Sequence, residues 1–137
     1  MDKGTKRYAE IRSRFARVGP VRMFGMKLGR LARGRAELIL DPGPRHTHPF
    51  GVHGGVLAAL ADTAMAMAVW TLVPASTRIA TVEMKINYLV PHQRGRLRAE
   101  ARVLRLGKRL AVGEAEIRDR RRELIAKSLM TYSLRLT

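Results

Sequence analysis

Four segments in the second half of the chain alternate apolar and polar residues with a period of two, and they follow one segment that is apolar on every side. From Ile79 to Leu89 the pattern sets Val82, Met84, Ile86 and Tyr88 against Thr81, Glu83, Lys85 and Asn87, which predicts a strand with one buried face. Arg96 to Leu106 alternates likewise until the phase slips at Val103-Leu104, where a bulge is expected. Gly107-Lys108 predicts a tight turn into a strand over Arg109 to Asp119, and the run 119–122 predicts the turn into a last strand from Leu124 to Leu136. On that last strand Ala126, Ser128, Met130, Tyr132 and Leu134 share a face.

Gly54 to Trp70 has high helix propensity and almost no polar side, so the helix it predicts must be enclosed. Ahead of it, Arg35 to Leu40 reads as a strand stopped by Asp41-Pro42-Gly43-Pro44. Tyr8, Ile11, Phe15 and Val18 recur at helical spacing and predict a short amphipathic helix ending at Gly19-Pro20, while the glycine-rich stretch after it predicts nothing definite. The order is therefore α+β: one strand, a long buried helix, then four strands joined by hairpin turns, an antiparallel sheet wrapped around a central helix. Residues 1–32 read as a basic N-terminal helix or arm, and 33–137 as the folded domain. Five strands do not cover a helix on all sides, so a second subunit is expected to close the open face, giving a dimer or a dimer of dimers.

Composition narrows the chemistry. The chain has 137 residues, and without cysteine it has neither disulfides nor thiolate sites. Lys and Arg number 27 against 11 Asp and Glu, a net charge of +16 that favours acidic or phosphorylated partners. Eleven of those basic residues fall in residues 1–40 and eleven in 94–122. With 5% aromatic residues, the stacking set of a single-strand nucleic-acid binder is missing, and no specific nucleic-acid partner is expected. The surplus charge fits a weak anionic surface contact or an arginine-rich genome equally well. No stretch has the ~18 uninterrupted apolar residues of a membrane span, and the first thirty lack a secretory signal's apolar core; the chain reads as cytoplasmic, unprocessed and not inserted in a membrane.

Asp62 is the sole ionisable side chain between His53 and Arg78. A carboxylate on an oily helix needs a partner, a proton, or a pocket open to water and substrate. It is either the base of an active site or an interface aspartate hydrogen-bonded across a dimer. His53-Gly54-Gly55 opens the same helix, where unpaired amides and the helix dipole stabilise an oxygen that gains negative charge. Eight residues separate Gly54 from Asp62, about 12 Å along the axis, so one helix cannot apply both groups to one reacting atom. Two copies across a shared cleft can. His46, His48 and His53 match no zinc spacing, and neither a metal nor a cofactor is expected.

The run HPFGVHGGVLAALADTAMAMAV, the strand TVEMKINYLVP at 81–91 and the Gly-Lys-Arg turn at 107–109 resemble the hotdog-fold acyl-CoA thioesterases of the PaaI-like family, over about residues 33–136. The resemblance implies the hotdog fold and hydrolysis of a medium-chain or aryl-acyl coenzyme A ester. It places the catalytic carboxylate, general base or nucleophile, at Asp62 and the amide that polarises the carbonyl at Gly54. Thr81 matches a residue that holds the attacking water, while His53 matches the histidine that lines the site. Gly55 and Met65 are expected beside the substrate, Met65 serving equally as core filler. Lys108 and Arg109, with Arg94 or Arg96, are candidates for the coenzyme A phosphates. One departure stands out: where the family has Asn or Gln this chain has His48, and the connection from Gly51 to His53 is one residue shorter. His48 either donates in place of the amide or is a solvent-exposed histidine. In the second case a non-catalytic acyl-CoA or acyl-carrier binding module is the alternative.

Overall fold

The computed structural model describes residues 3–136, with side chains from residue 4. Helix α1 (Lys3–Phe15) ends before the Gly19-Pro20 pair, and that pair starts a second helix, α2 (Gly19–Phe24), instead of only stopping the first. Proline suits the first helical turn, where its missing N–H has no intrahelical partner. Gly25, at φ 68°, closes α2. The chain then forms β1 (Lys27–Ala32), a strand that the glycines hide in the sequence, and β2 (Arg35–Leu40). A small ribbon, β3 (Thr47–His48) with β4 (Gly51–Val52), leads into α3 (Gly54–Trp70). Four long strands complete the chain: β5 (Arg78–Tyr88), β6 (Leu97–Leu106), β7 (Leu110–Arg118) and β8 (Leu124–Arg135).

Six strands form one antiparallel sheet in the order β1-β2-β6-β7-β8-β5, with α3 against one face. This is the hotdog arrangement, α+β with a long helix held by a sheet. The boundary expected between residues 32 and 33 falls in the β1–β2 turn, and Ile11, Phe15, Val21 and Met26 belong to the same core as α3. The helices α1 and α2 thus cover part of the α3 surface for which the sequence reading calls on a second subunit. Beyond its first turn, what stays half-exposed on α3 is a stripe through Ala58, Ala59, Asp62, Thr63, Ala66 and Trp70.

The basic residues of α1 have a structural use. Arg7 donates to the carbonyls of Trp70 and Val73 (2.8 and 3.0 Å), and Arg12 to that of Gly29 (2.8 Å). Arg14 reaches the Ala75 carbonyl and lies over the Trp70 ring. The C-terminal end of α3, where carbonyls lack helical partners and the dipole is negative, is in this way capped by guanidinium groups from the start of the chain.

Small residues let the helix sit close to the sheet. Ala99, Ala101, Ala111 and Ala115 of the sheet are buried in the same core as Ala61, Ala64 and Ala68 of α3, and the tip of Met65 occupies the space where Gly113 has no side chain. Gly113 pairs with Val103 at the β6 bulge, which lies at the phase slip expected from the sequence. Substituting Gly113→Ala drives a Cβ to within 2.6 Å of the Arg102 carbonyl as well as into Met65. A backbone oxygen cannot swing aside, so the substitution should cost about 1–3 kcal/mol, read as a lower urea midpoint. A midpoint equal to the parent's contradicts this packing.

Candidate active site

Asp62 projects from the middle of α3, half-buried, at the stripe left uncovered by α1 and α2. Its Oδ1 accepts a hydrogen bond from the Thr81 hydroxyl at 2.8 Å and a second, short one from the Tyr132 phenol, which also approaches the Asp62 carbonyl oxygen at 2.6 Å. No Lys, Arg or His among the described residues pairs with it. The carboxylate is therefore held by two neutral donors and keeps its charge uncompensated.

A bulge makes this possible. Simple alternation puts Thr81 on the face opposite Met84, Ile86 and Tyr88 and puts Val82 with them. The structure reverses both, because the β5–β8 register slips between Thr81 and Glu83. Thr81 pairs with Tyr132 and Met84 with Met130, so Thr81 points toward α3 while Val82 is 57% exposed. Tyr132 is a neighbour of Asp62 that alternation along the last strand places on an apolar face without singling it out. The signal was present: a tyrosine on a buried face needs a partner for its hydroxyl, and Asp62 needed a donor.

Gly54 lies at the other end of β5. Its carbonyl accepts from the Tyr88 phenol at 2.7 Å, burial pushes the Tyr88 pKa up, and no described residue accepts from the Gly54 N–H. The His53 side chain caps the helix, Nδ1 accepting from the Gly55 N–H at 2.9 Å. His48 is exposed, its Nδ1 accepts from the Phe50 N–H, and its ring centre lies 6.0 Å from that of His53. One chain thus brings His48, His53, Gly54 and Gly55 together, and separately brings Asp62 and Thr81 together, without joining the two groups. His46 stands apart, buried, with both ring nitrogens engaged by Gly43 and Phe24. Met65 is fully buried against Gly113, in the core-filling place.

Lys108 and Arg109 are exposed in the β6–β7 turn, beyond Ala111, which pairs with Tyr132; they lie at the Asp62 end of the sheet. Arg94 and Arg96 precede the opposite end of β6, about 30 Å away by strand length. Arg96 is committed to Asp41 through two bonds of 2.8 and 3.0 Å, which hold the Asp41 carboxyl down to about 2. The Lys108–Arg109 turn and Arg96 of one chain cannot grip one pyrophosphate. Concavities of about 460 and 740 Å3 lie on the outer sheet face among residues such as Arg30, Glu37 and Glu100, and neither reaches Asp62 or Gly54. Among the described residues no cluster could hold a metal ion, and no helix is long and apolar enough to cross a membrane.

The Thioesterase superfamily model matches residues 51–126, a span that contains Gly54, Asp62 and Thr81. The Saccharolobus solfataricus protein SSO1253 is 35% identical over 109 residues, covering 79% of this chain and 72% of its own. A medium/long-chain acyl-CoA thioesterase, YigI of Salmonella typhimurium, is 27% identical over 127 residues, with 81% and 82% covered. The crystal structure of a thioesterase family protein from Silicibacter pomeroyi superposes with a TM-score of 0.90 at 27% identity, covering 96% of this chain and 99% of that one.

The capping role of His53 can be separated from any contact with substrate. His53→Ala should cost about 1 kcal/mol by urea titration, and His53→Asn, which offers a side-chain oxygen to the same amide, should recover most of it. Equal losses in both variants contradict the cap.

Proposed function

From the thioesterase superfamily, to which this chain belongs, we propose a thioesterase that hydrolyses coenzyme A esters of medium-chain or aryl acids, with Asp62 as general base and the Gly54 amide as oxyanion donor. The observation that carries this reading is the setting of Asp62: a carboxylate on an apolar helix, bonded to hydroxyls and, among the described residues, to no cation, at the uncovered stripe of α3. A structural aspartate would be neutralised or enclosed; this one is poised to take a proton from water. The relative named for medium/long-chain acyl-CoA supports coenzyme A as the carrier, and Lys108 and Arg109 offer charge for its phosphates at the Asp62 end.

The two halves of the site lie at different ends of one strand, so we place the complete site between two copies. β5 is an edge strand whose Val82 and Tyr88 are 57% and 50% exposed, and Leu89 just after it is 52% exposed. A free edge of eleven residues, next to a half-exposed helix stripe, is a surface for a second chain. Across a twofold axis the Asp62 of one copy faces the α3 N-terminus of the other. Water attacks the thioester carbonyl carbon as its proton moves to Asp62, the carbonyl oxygen takes negative charge against the Gly54 N–H, and collapse breaks the C–S bond. The thiolate recovers the proton, leaving free coenzyme A and a carboxylic acid. The dimer, the acyl class and the roles of Thr81, His48 and His53 around the carbonyl stand within this proposal.

The test follows thiol release from acetyl-, octanoyl-, palmitoyl- and benzoyl-CoA. The parent should cleave octanoyl- or benzoyl-CoA fastest, and Asp62→Asn should lose at least about a hundredfold in kcat; an Asp62→Asn rate equal to the parent's removes the base. For the amide, Gly54→Pro and Gly54→Ala form a matched pair. His53 is extended (φ −61°, ψ 134°), as a residue before proline must be, and proline is welcome at a first helical position. Both variants add a Cβ about 3.0 Å from the Tyr88 ring, but only proline deletes the N–H. Proline should cost on the order of 100- to 1,000-fold in kcat relative to alanine, and equal rates contradict the oxyanion role.

A further inference from the structure

The two carboxylate oxygens of Asp62 are not equivalent. Oδ1 receives both the Thr81 hydroxyl and the Tyr132 phenol, and no described residue donates to Oδ2. Thr81 and Tyr132 face each other across β5 and β8, so one backbone register aims both donors at one oxygen. Tyr132 is 2% exposed, and its ring is packed in the core, so its hydroxyl has no freedom to follow a moving carboxylate. The phenol has a single proton and two oxygens of Asp62 in reach. Oδ1 shares the carboxylate charge with Oδ2 whereas the helix carbonyl is neutral and already serves the backbone, so the charge-assisted bond to Oδ1 is the stronger one. Burial first, and the bond to Asp62 second, push the Tyr132 pKa well above that of a free phenol. The phenol therefore keeps its proton throughout the working pH range. Among the described residues no charged side chain takes part: the inward residues of β7 are Ala111, Gly113, Ala115 and Ile117, and Glu83 and Lys85 of β5 point to the other face.

We propose that Tyr132 is the positioning residue of this hydrolase: with Thr81 it pins Oδ1 and leaves Oδ2 as the oxygen that removes the proton from water. The inference rests on the reading of Asp62 as base and adds the atom and the side chain that set its direction. The water O–H bond breaks to Oδ2, the new C–O bond forms at the thioester carbon, and the C–S bond breaks. The proton on Oδ2 then returns to the departing sulfur, so the carboxylate is regenerated with Oδ1 never released. Without the phenol, the carboxylate can turn either oxygen to the substrate, and Thr81 alone holds it.

The experiment measures kcat and KM for octanoyl-CoA or benzoyl-CoA, whichever the parent cleaves faster, with Tyr132→Phe in the parent and in the Asp62→Asn background. Phenylalanine keeps the ring and deletes the donor. In the parent background kcat should fall about 10- to 100-fold with KM within about twofold. In the Asp62→Asn background the same substitution should change the residual rate by less than about twofold, because its effect runs through the carboxylate. An unchanged kcat in the parent background overturns the inference, and so does an equal loss in both backgrounds, the signature of a merely structural tyrosine. Should Asp62→Asn itself run at the parent's rate, the base reading falls and takes this one with it; that outcome is read before Tyr132 is touched. If Tyr132→Phe does not melt cooperatively, Thr81→Val in the two backgrounds reads the same oxygen, and Thr81→Ser, which keeps the hydroxyl, should be less impaired than Thr81→Val; loss only where Asp62 is present supports the assignment, and any other pattern overturns it.

Discussion

A carboxylate on a helix that is apolar on all sides is the constraint around which this molecule is arranged. Asp62 cannot be left bare in a core, and no cation among the described residues pairs with it. It supplies two hydroxyls instead, both brought to one oxygen by the pairing of Thr81 with Tyr132. Neutral donors stabilise the charge without cancelling it, which is what a base needs and what a purely structural ion pair would not provide. The bulge at Val82 makes that arrangement possible, for without it Thr81 would lie on the sheet face opposite α3.

Everything else about α3 serves to hold that residue in place. Alanines and Gly113 on the sheet let the helix approach closely, and the glycine's missing side chain is filled by Met65. The N-terminal helices cover the back of α3 while arginines of α1 cap its last carbonyls. The strong positive charge of the first segment is thus partly explained from within: Arg7, Arg12 and Arg14 spend their donors on backbone oxygens, a use that asks for no nucleic acid or membrane. The helix N-terminus is built with equal economy, since His53 takes the Gly55 amide and leaves that of Gly54 open.

The strands β2 and β5 to β8 and the long helix were legible in the sequence because period-two alternation and an uninterrupted apolar run are strong signals; the α3 limits and the β6 bulge agree with what the pattern predicts. β1 was not legible, because Gly25 and Gly29 dilute the pattern and its strand character comes from pairing with β2. Pro20 reads as a stop until the structure shows it starting α2. At the site, Asp62 and Gly54 stand out from their surroundings, whereas Tyr132 hides among core residues and the Thr81 face is misread. Alternation continues on either side of the Val82 bulge, and a one-residue slip leaves no composition mark. Arg96 illustrates the reverse error: a basic residue near the right motif that the fold commits to Asp41.

In the proposed dimer one chain holds the base, the other holds the amide, and catalysis needs both. Asp62→Asn and Gly54→Pro chains carrying different tags can be co-expressed and the mixed dimer purified through both tags. In that dimer one site has both defects and the other has neither, so thiol release should recover to about half of the parent rate although each variant alone is inactive. A mixed dimer as inactive as its two parents would show that base and amide act within a single chain, contrary to this account.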